Sequence, residues 1–195
     1  MSEAPHHPDE HAATRRGIRW DALAAIIASL VGLLALIVAG YTAYMQRQQI
    51  RAQVWPYVEM GSSNADGHYE LVAINKGVGP AIIKSVQVRA DGKPVDSWGA
   101  MGKLFGFAPS VSPVESTLNQ MVLSPGEELH WIKFSSAADI DKFKADWSRF
   151  HVEARVCYTS TLGESWLAVY RINGGQVPKP VSHCPDANGP NQFND

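Results

Sequence analysis

Residues able to do chemistry are few in this chain, and they are scattered. It has 195 residues, a net charge of −2, seven histidines and two cysteines. His6, His7 and His11 have a metal-ligand composition, but a polar stretch of Pro, Ala and acids offers no fixed geometry to hold an ion. Gly77-Val78-Gly79 begins like a phosphate cradle. It lacks the third glycine and the Lys-Ser/Thr of a nucleotide loop, and no helix pattern follows, so a structural turn is expected. Asp139 and Asp141 fall on a solvated helix face. A catalytic cysteine needs a nearby base to become a thiolate. His151 shares a strand face with Cys157 but lies about 20 Å along the strand, and His183 adjoins Cys184 in a polar tail. There is no Gly-x-Ser-x-Gly, His-Glu-x-x-His or Cys-x-x-Cys. An enzyme would need His130, His151 and Glu153 to converge on one cleft, and strand alternation puts the last two on an outer face. The expectation is no catalytic residue, no metal and no cofactor. The near-neutral charge also argues against nucleic acid as a partner.

The element that organises the chain is Ala22–Met45, which carries no charged residue. As a helix it would be roughly 36 Å long, enough to cross a hydrocarbon core of about 30 Å. Its Leu, Ile and Val residues between 23 and 38 contribute roughly −3 to −6 kcal/mol toward insertion. The apolar run is longer than that of a cleaved signal peptide, so an uncleaved single-pass anchor is expected over 20–45. With no ionisable side chain, the span offers no ion or proton path of its own. Ala24, Ala28, Gly32 and Gly40 recur at multiples of four residues, a spacing that lets helix backbones approach closely. They are the candidate contact with a second copy or with a membrane partner. Arg15, Arg16 and Arg19 precede the span and Arg47 and Arg51 follow it. That three-to-two bias places the tail, residues 1–19, in the cytoplasm and the large domain outside.

Residues 46–56 read as a polar helical stalk, ended by Pro56, since the residue before a proline avoids the helical region. The stalk closes on Val54-Trp55-Pro56-Tyr57, and Asn75-Lys76-Gly77-Val78-Gly79-Pro80-Ala81 follows. Together with the span, these residues resemble a group of uncharacterised bacterial single-pass membrane proteins. The resemblance covers roughly residues 20–170. It implies a small β-sandwich and no activity. With the arginine bias and the two cysteines, the expected location is the bacterial inner membrane, with a periplasmic C-terminal domain.

Residues 57–171 show short runs of period-two alternation separated by turn residues. Val86, Val88 and Ala90 oppose Ser85, Gln87 and Arg89. Val152, Ala154, Val156 and Tyr158 oppose His151, Glu153, Arg155 and Cys157. A helix from Ser135 or Ser136 to about Trp147 buries Ile140, Phe143 and Trp147. About seven strands with one inserted helix predict a mainly β fold, an Ig-like antiparallel β-sandwich behind the transmembrane helix. Residues 172–195, rich in Gly, Pro and Asn, are expected to form an irregular tail. Cys157 and Cys184 are either a bridge, contributing roughly 3–4 kcal/mol, or two free thiols.

Residues 96–121 are too apolar for an ordinary loop. Trp98, Phe105 and Phe107 either pack as a short helix over one end of the sandwich or form a lip for a partner or ligand. The expected function is a membrane-anchored, non-enzymatic interaction module, an accessory subunit of an envelope complex. The alternative is a sensor or immunity-type protein that grips a ligand behind the 96–121 loop. A closed loop favours the first, and an open concavity lined by Trp98, Phe105 and Phe107 favours the second.

Overall fold

The computed structural model describes residues 20–171, 174–186, 188–189 and 191–194. The chain falls into two units, Met1–Arg47 and Gln48–Asp195. Helix α1 (Trp20–Gln53) runs unbroken through the apolar stretch and buries none of its residues. It is long and apolar enough to cross a membrane. Two hydroxyls along it are satisfied inside the helix: Ser29 Oγ donates to the Ala25 carbonyl and Thr42 Oγ1 to the Val38 carbonyl, each at 2.8 Å. Such back-bonding removes donors that hydrocarbon could not satisfy.

The second unit is an antiparallel sandwich. One sheet has the order β1-β2-β7-β5, formed by β1 (Val58–Ala65), β2 (His68–Asn75), β7 (Glu128–Phe134) and β5 (Val114–Glu115). The other runs β10-β9-β8-β3-β4, from β10 (Gly174–Val181), β9 (Ser165–Arg171), β8 (Glu153–Thr159), β3 (Ala81–Ala90) and β4 (Lys93–Val95). The two-residue β6 (Val122–Leu123) also pairs with β3. Alternation decides which residues go inside: Val86, Val88 and Ala90 of β3 and Ala154, Val156 and Tyr158 of β8 are all buried. Two helices are inserted, α2 (Trp98–Phe105) and α3 (Ala137–Arg149). Helix α3 buries Ile140, Phe143 and Trp147, the stripe its period dictates. The Tyr158 hydroxyl accepts the Val58 N–H at 3.1 Å, tying the two sheets together, and burial pushes its pKa up to about 12.

The two pieces of sequence that carry the resemblance meet in space. Val78 N–H and Gly79 N–H donate to the Trp55 carbonyl, and Lys76 N–H donates to the Tyr57 carbonyl. The fully buried Asn75 side chain links the pieces. Its Oδ1 accepts from Tyr57 N and Gly77 N, and its Nδ2 donates to the carbonyls of Gly79 and Leu123. A Cβ on Gly77 would lie 2.4 Å from the Trp55 oxygen, and one on Gly79 would lie 2.0 Å from the Val54 oxygen. Only glycine lets the backbones approach this closely. The Gly77-Val78-Gly79 turn is thus a seat for the chain leaving α1. Arg51 and Glu164 add an ion pair at 3.4 Å.

The C-terminal region departs from the expected irregular tail. Residues 174–181 form β10, paired along β9. A Cβ on Gly175 would lie 2.2 Å from the Met60 oxygen, so glycine here lets β10 close against β1. Cys157 and Cys184 are joined by a disulfide. Alternation puts Cys157 on the face away from the core, yet it is buried, because the chain around Cys184 lies against it. The end of the chain then enters the core at Phe193, which is fully buried.

Candidate functional site

Helix α2 begins at Ser97, whose Oγ accepts the Ala100 N–H at 3.2 Å and donates to Asp96 Oδ1 at 3.0 Å. It ends at Gly106, in the left-handed region with φ 66°, which turns the chain back toward the sheet. The next ring, Phe107, stacks on Phe134 of β7 with centroids 5.8 Å apart. Between α2, residues 107–115, β7 and α3 lies an open cavity of about 270 Å³. Trp98, Met101, Phe105, Phe107, Ile132, Phe134 and Phe143 give it an apolar lining. The structure therefore brings Trp98, Phe105 and Phe107 to one concavity. Ile132 and Phe134 complete it from the sheet, and Phe143, a member of the predicted buried stripe, completes it from α3. Lys103 and Glu115 stand on the rim, and partial desolvation raises the Glu115 carboxyl above its ordinary range. Trp98 Nε1 is buried and makes no hydrogen bond among the described residues.

Gly99 and Gly102, one turn apart on α2, also line the cavity. A Cβ on Gly102 would meet nothing within 4 Å, and one on Gly99 would meet only Ser97 Oγ at 4.0 Å. Neither has a positive φ. Nothing in backbone conformation or packing requires glycine there, although each destabilises a helix by about 1 kcal/mol relative to alanine. What the two glycines provide is room, and bare helix backbone facing that room. Sequence reasoning missed them because their glycine signal is indistinguishable from that of a turn.

The other candidate residues do not assemble. His130 pairs with Glu70 on the first sheet, His151 with Asp91 at 2.9 Å, and Glu153 with Arg155 and Arg171. Desolvation alone would raise both glutamates. Their hydrogen-bonded cations outweigh it and hold Glu70 and Glu153 below the usual carboxylate range. Each group is spent on its own ion pair, and no common cleft joins His130, His151 and Glu153. No group of three or more potential metal ligands occurs among the described residues. His6, His7 and His11 lie outside the described residues. Ala24, Ala28, Gly32 and Gly40 are exposed along α1, away from the cavity residues in sequence and unit.

Three of the four sheet edges are blunted, and the fourth, the eight-residue β1, is approached closely by β10 at Met60. Strand β10 carries Pro178 and Pro180, β4 is three residues including Lys93 and Pro94, and β5 is two residues long. Proline and lysine at edges, and short edge strands, discourage the addition of a foreign strand. Concavities among the described residues remain as candidate receptors: the apolar cavity under α2, and a larger one of about 810 Å³ lined by Asp91, Lys93, Ala100, Leu104, Phe150 and Gln192. Together these features define a class: a small antiparallel β-sandwich with an apolar helix before it and an apolar cavity beneath an inserted helix. The chain belongs to the family described as Domain of unknown function (DUF8453), which matches residues 20–177 and so takes in both the helix and the sandwich. No curated protein and no solved structure matches it.

Proposed function

We propose that this protein is a membrane-anchored, non-enzymatic interaction module whose α2 cavity receives an apolar side chain of a partner protein. In this reading α1 is a single-pass anchor in a bacterial inner membrane, the sandwich is periplasmic, and the partner belongs to an envelope complex. The observation that carries it is the cavity with two helix glycines that nothing structural requires. An open concavity lined by Trp98, Phe105 and Phe107 is the feature expected of the ligand-gripping sensor; its small size is what turns the reading toward a partner's side chain. Pockets that bury small molecules run from roughly 300 to 1,000 Å³, and this one is about 270 Å³. Anchor pockets for a single aromatic or aliphatic side chain are the usual centres of protein interfaces. The disulfide supports the exported orientation, since bridges persist in oxidising compartments. The blunting of β4, β5 and β10 counts against strand addition at those edges as the docking mode.

The test is photo-crosslinking in intact cells from a photoreactive phenylalanine analogue at Lys103, on the cavity rim, with Asp66 at the β1–β2 turn as control. The reading expects a discrete adduct from position 103 and none from 66, lost when Gly102→Leu takes up close to half of the cavity. An adduct from 103 that survives Gly102→Leu overturns it. A sensor that takes a small molecule would instead give no protein adduct at either position.

A further inference from the structure

The chain's last described residues bind the middle of β3 and the start of α2. Asn194 N–H donates to the Asp96 carbonyl at 2.7 Å, one residue before the Ser97 cap. Phe193 N–H donates to the Val86 carbonyl at 2.8 Å, and Gln192 Oε1 accepts the Val86 N–H at 3.1 Å. This fills the stretch of the β3 edge between its pairings with β6 and β4. The Phe193 ring sits edge-on to Trp98 at 4.9 Å and to Trp131 at 5.4 Å. Trp98 is the first residue of α2 and a wall of the cavity. An eight-residue helix containing two glycines has no stability of its own, so its position depends on what packs against it.

We propose that Phe193 is a positioning residue for the cavity. The segment Gln192–Asn194 is a strap that holds α2 through Trp98 and so sets the shape of the receptor. This deepens the reading of the cavity as the partner site and rests on it. The strap acts through its own contacts rather than through the disulfide. Eight residues separate Cys184 from Gln192, and eleven separate the end of β10 at Val181 from it. Counted as chain length alone, that change alters the effective concentration of the strap by less than about twofold. Breaking the bridge therefore leaves the strap seated.

The experiment is hydrogen exchange of the full chain in detergent, followed over peptides covering 96–107, with crosslinking from position 103 run in parallel. Phe193→Ala should raise α2 exchange by about 100-fold or more, the scale expected when a fully buried ring is lost. Phe193→Leu should restore most of the protection. The double variant Cys157→Ser/Cys184→Ser should leave α2 protection within about twofold of the parent while lowering global stability. Unchanged α2 exchange in Phe193→Ala overturns the proposal. So does equal loosening of α2 in the disulfide variant, which would mean that protection only tracks global stability. If α2 loosens as stated and the adduct persists undiminished, the positioning role stands and the partner-site reading falls.

Discussion

Replacing Gly102 with alanine separates a receptor from a packing accident, because the two make opposite demands on the same atom. A methyl group at Gly102 meets nothing within 4 Å, and the residue is neither left-handed nor pressed against a backbone. Helix propensity alone then favours alanine by about 0.8–1.0 kcal/mol. Gly99 offers a similar gain, since its added methyl would touch only Ser97 Oγ at 4.0 Å. The two sites are neighbours on one face, so their sum is bounded at about 2 kcal/mol rather than assured. For a domain of this size, each kcal/mol raises the melting temperature by about 2–4 °C. Gly102→Leu goes further. Four added carbons occupy roughly 120 Å³ if each takes the volume of a water molecule, close to half of a cavity of about 270 Å³. The assay is thermal unfolding of the full chain in detergent beside crosslinking from position 103. Gly102→Ala should melt about 2–4 °C higher with a weaker adduct, and Gly102→Leu should lose the adduct without unfolding. A Gly102→Ala variant that melts lower than the parent would refute the reasoning, because glycine would then have a structural role that the geometry does not contain.

Three further outcomes follow from the same physics. Gly79→Ala drives a Cβ to 2.0 Å from the Val54 oxygen, and Asn75→Ala strands two donors and two acceptors; each should cost about 3 kcal/mol in denaturant unfolding. The Cys157–Cys184 bridge closes a separation of 27 residues, which in the chain-entropy model contributes about 3.5 kcal/mol, so reduction should lower the melting temperature by about 7–14 °C; on intact cells, an impermeant maleimide should label these cysteines only after reduction, and labelling that requires lysis would reverse the assigned orientation. Glu153 is held below the usual range because Arg155 and Arg171 outweigh its desolvation, so its contribution is present above about pH 4.3 and is lost as pH falls through its lowered folded value; Glu153→Gln should show a shallower loss of stability between pH 6 and pH 3, and an unchanged slope would remove the ion pair from the account.

What the sequence disclosed and what it concealed follow from the range of the signals. The apolar helix, the alternation of β3 and β8 and the stripe Ile140, Phe143 and Trp147 are local periodicities, and each is legible within one element. The wall formed by Ile132, Phe134 and Phe143 is not. It exists only because β7, α3 and the chain after α2 meet, while each residue alone reads as ordinary core. Phe193 was hidden for a different reason. A single aromatic in a run of Gly, Pro and Asn has no period to announce it, although a lone large apolar side chain near the end of a polar segment was the available hint. Cys157 shows a limit of alternation itself. The pattern correctly assigns it to the face away from the core, but exposure depends on what else crosses that face, and here the chain around Cys184 does.

The glycines carry the argument furthest, because the structure sorts them by cause. At Gly77, Gly79 and Gly175, a side chain would overlap the backbone of a neighbouring segment at 2.4 Å or less. At Gly106, the backbone is left-handed and caps a helix. Each of these is accounted for by the fold. Gly99 and Gly102 have neither reason, as is also true of Gly32, Gly40 and Gly61, but these two line the cavity and occur in a short helix that can least spare the stability. That helix is in turn held in place by a strap from the far end of the chain, through Trp98 and Phe193. A fold that gives up helix stability to keep a space, and then braces the helix from behind, is the arrangement that the proposed docking of a partner's side chain requires. A packing defect would need neither the glycines nor the brace.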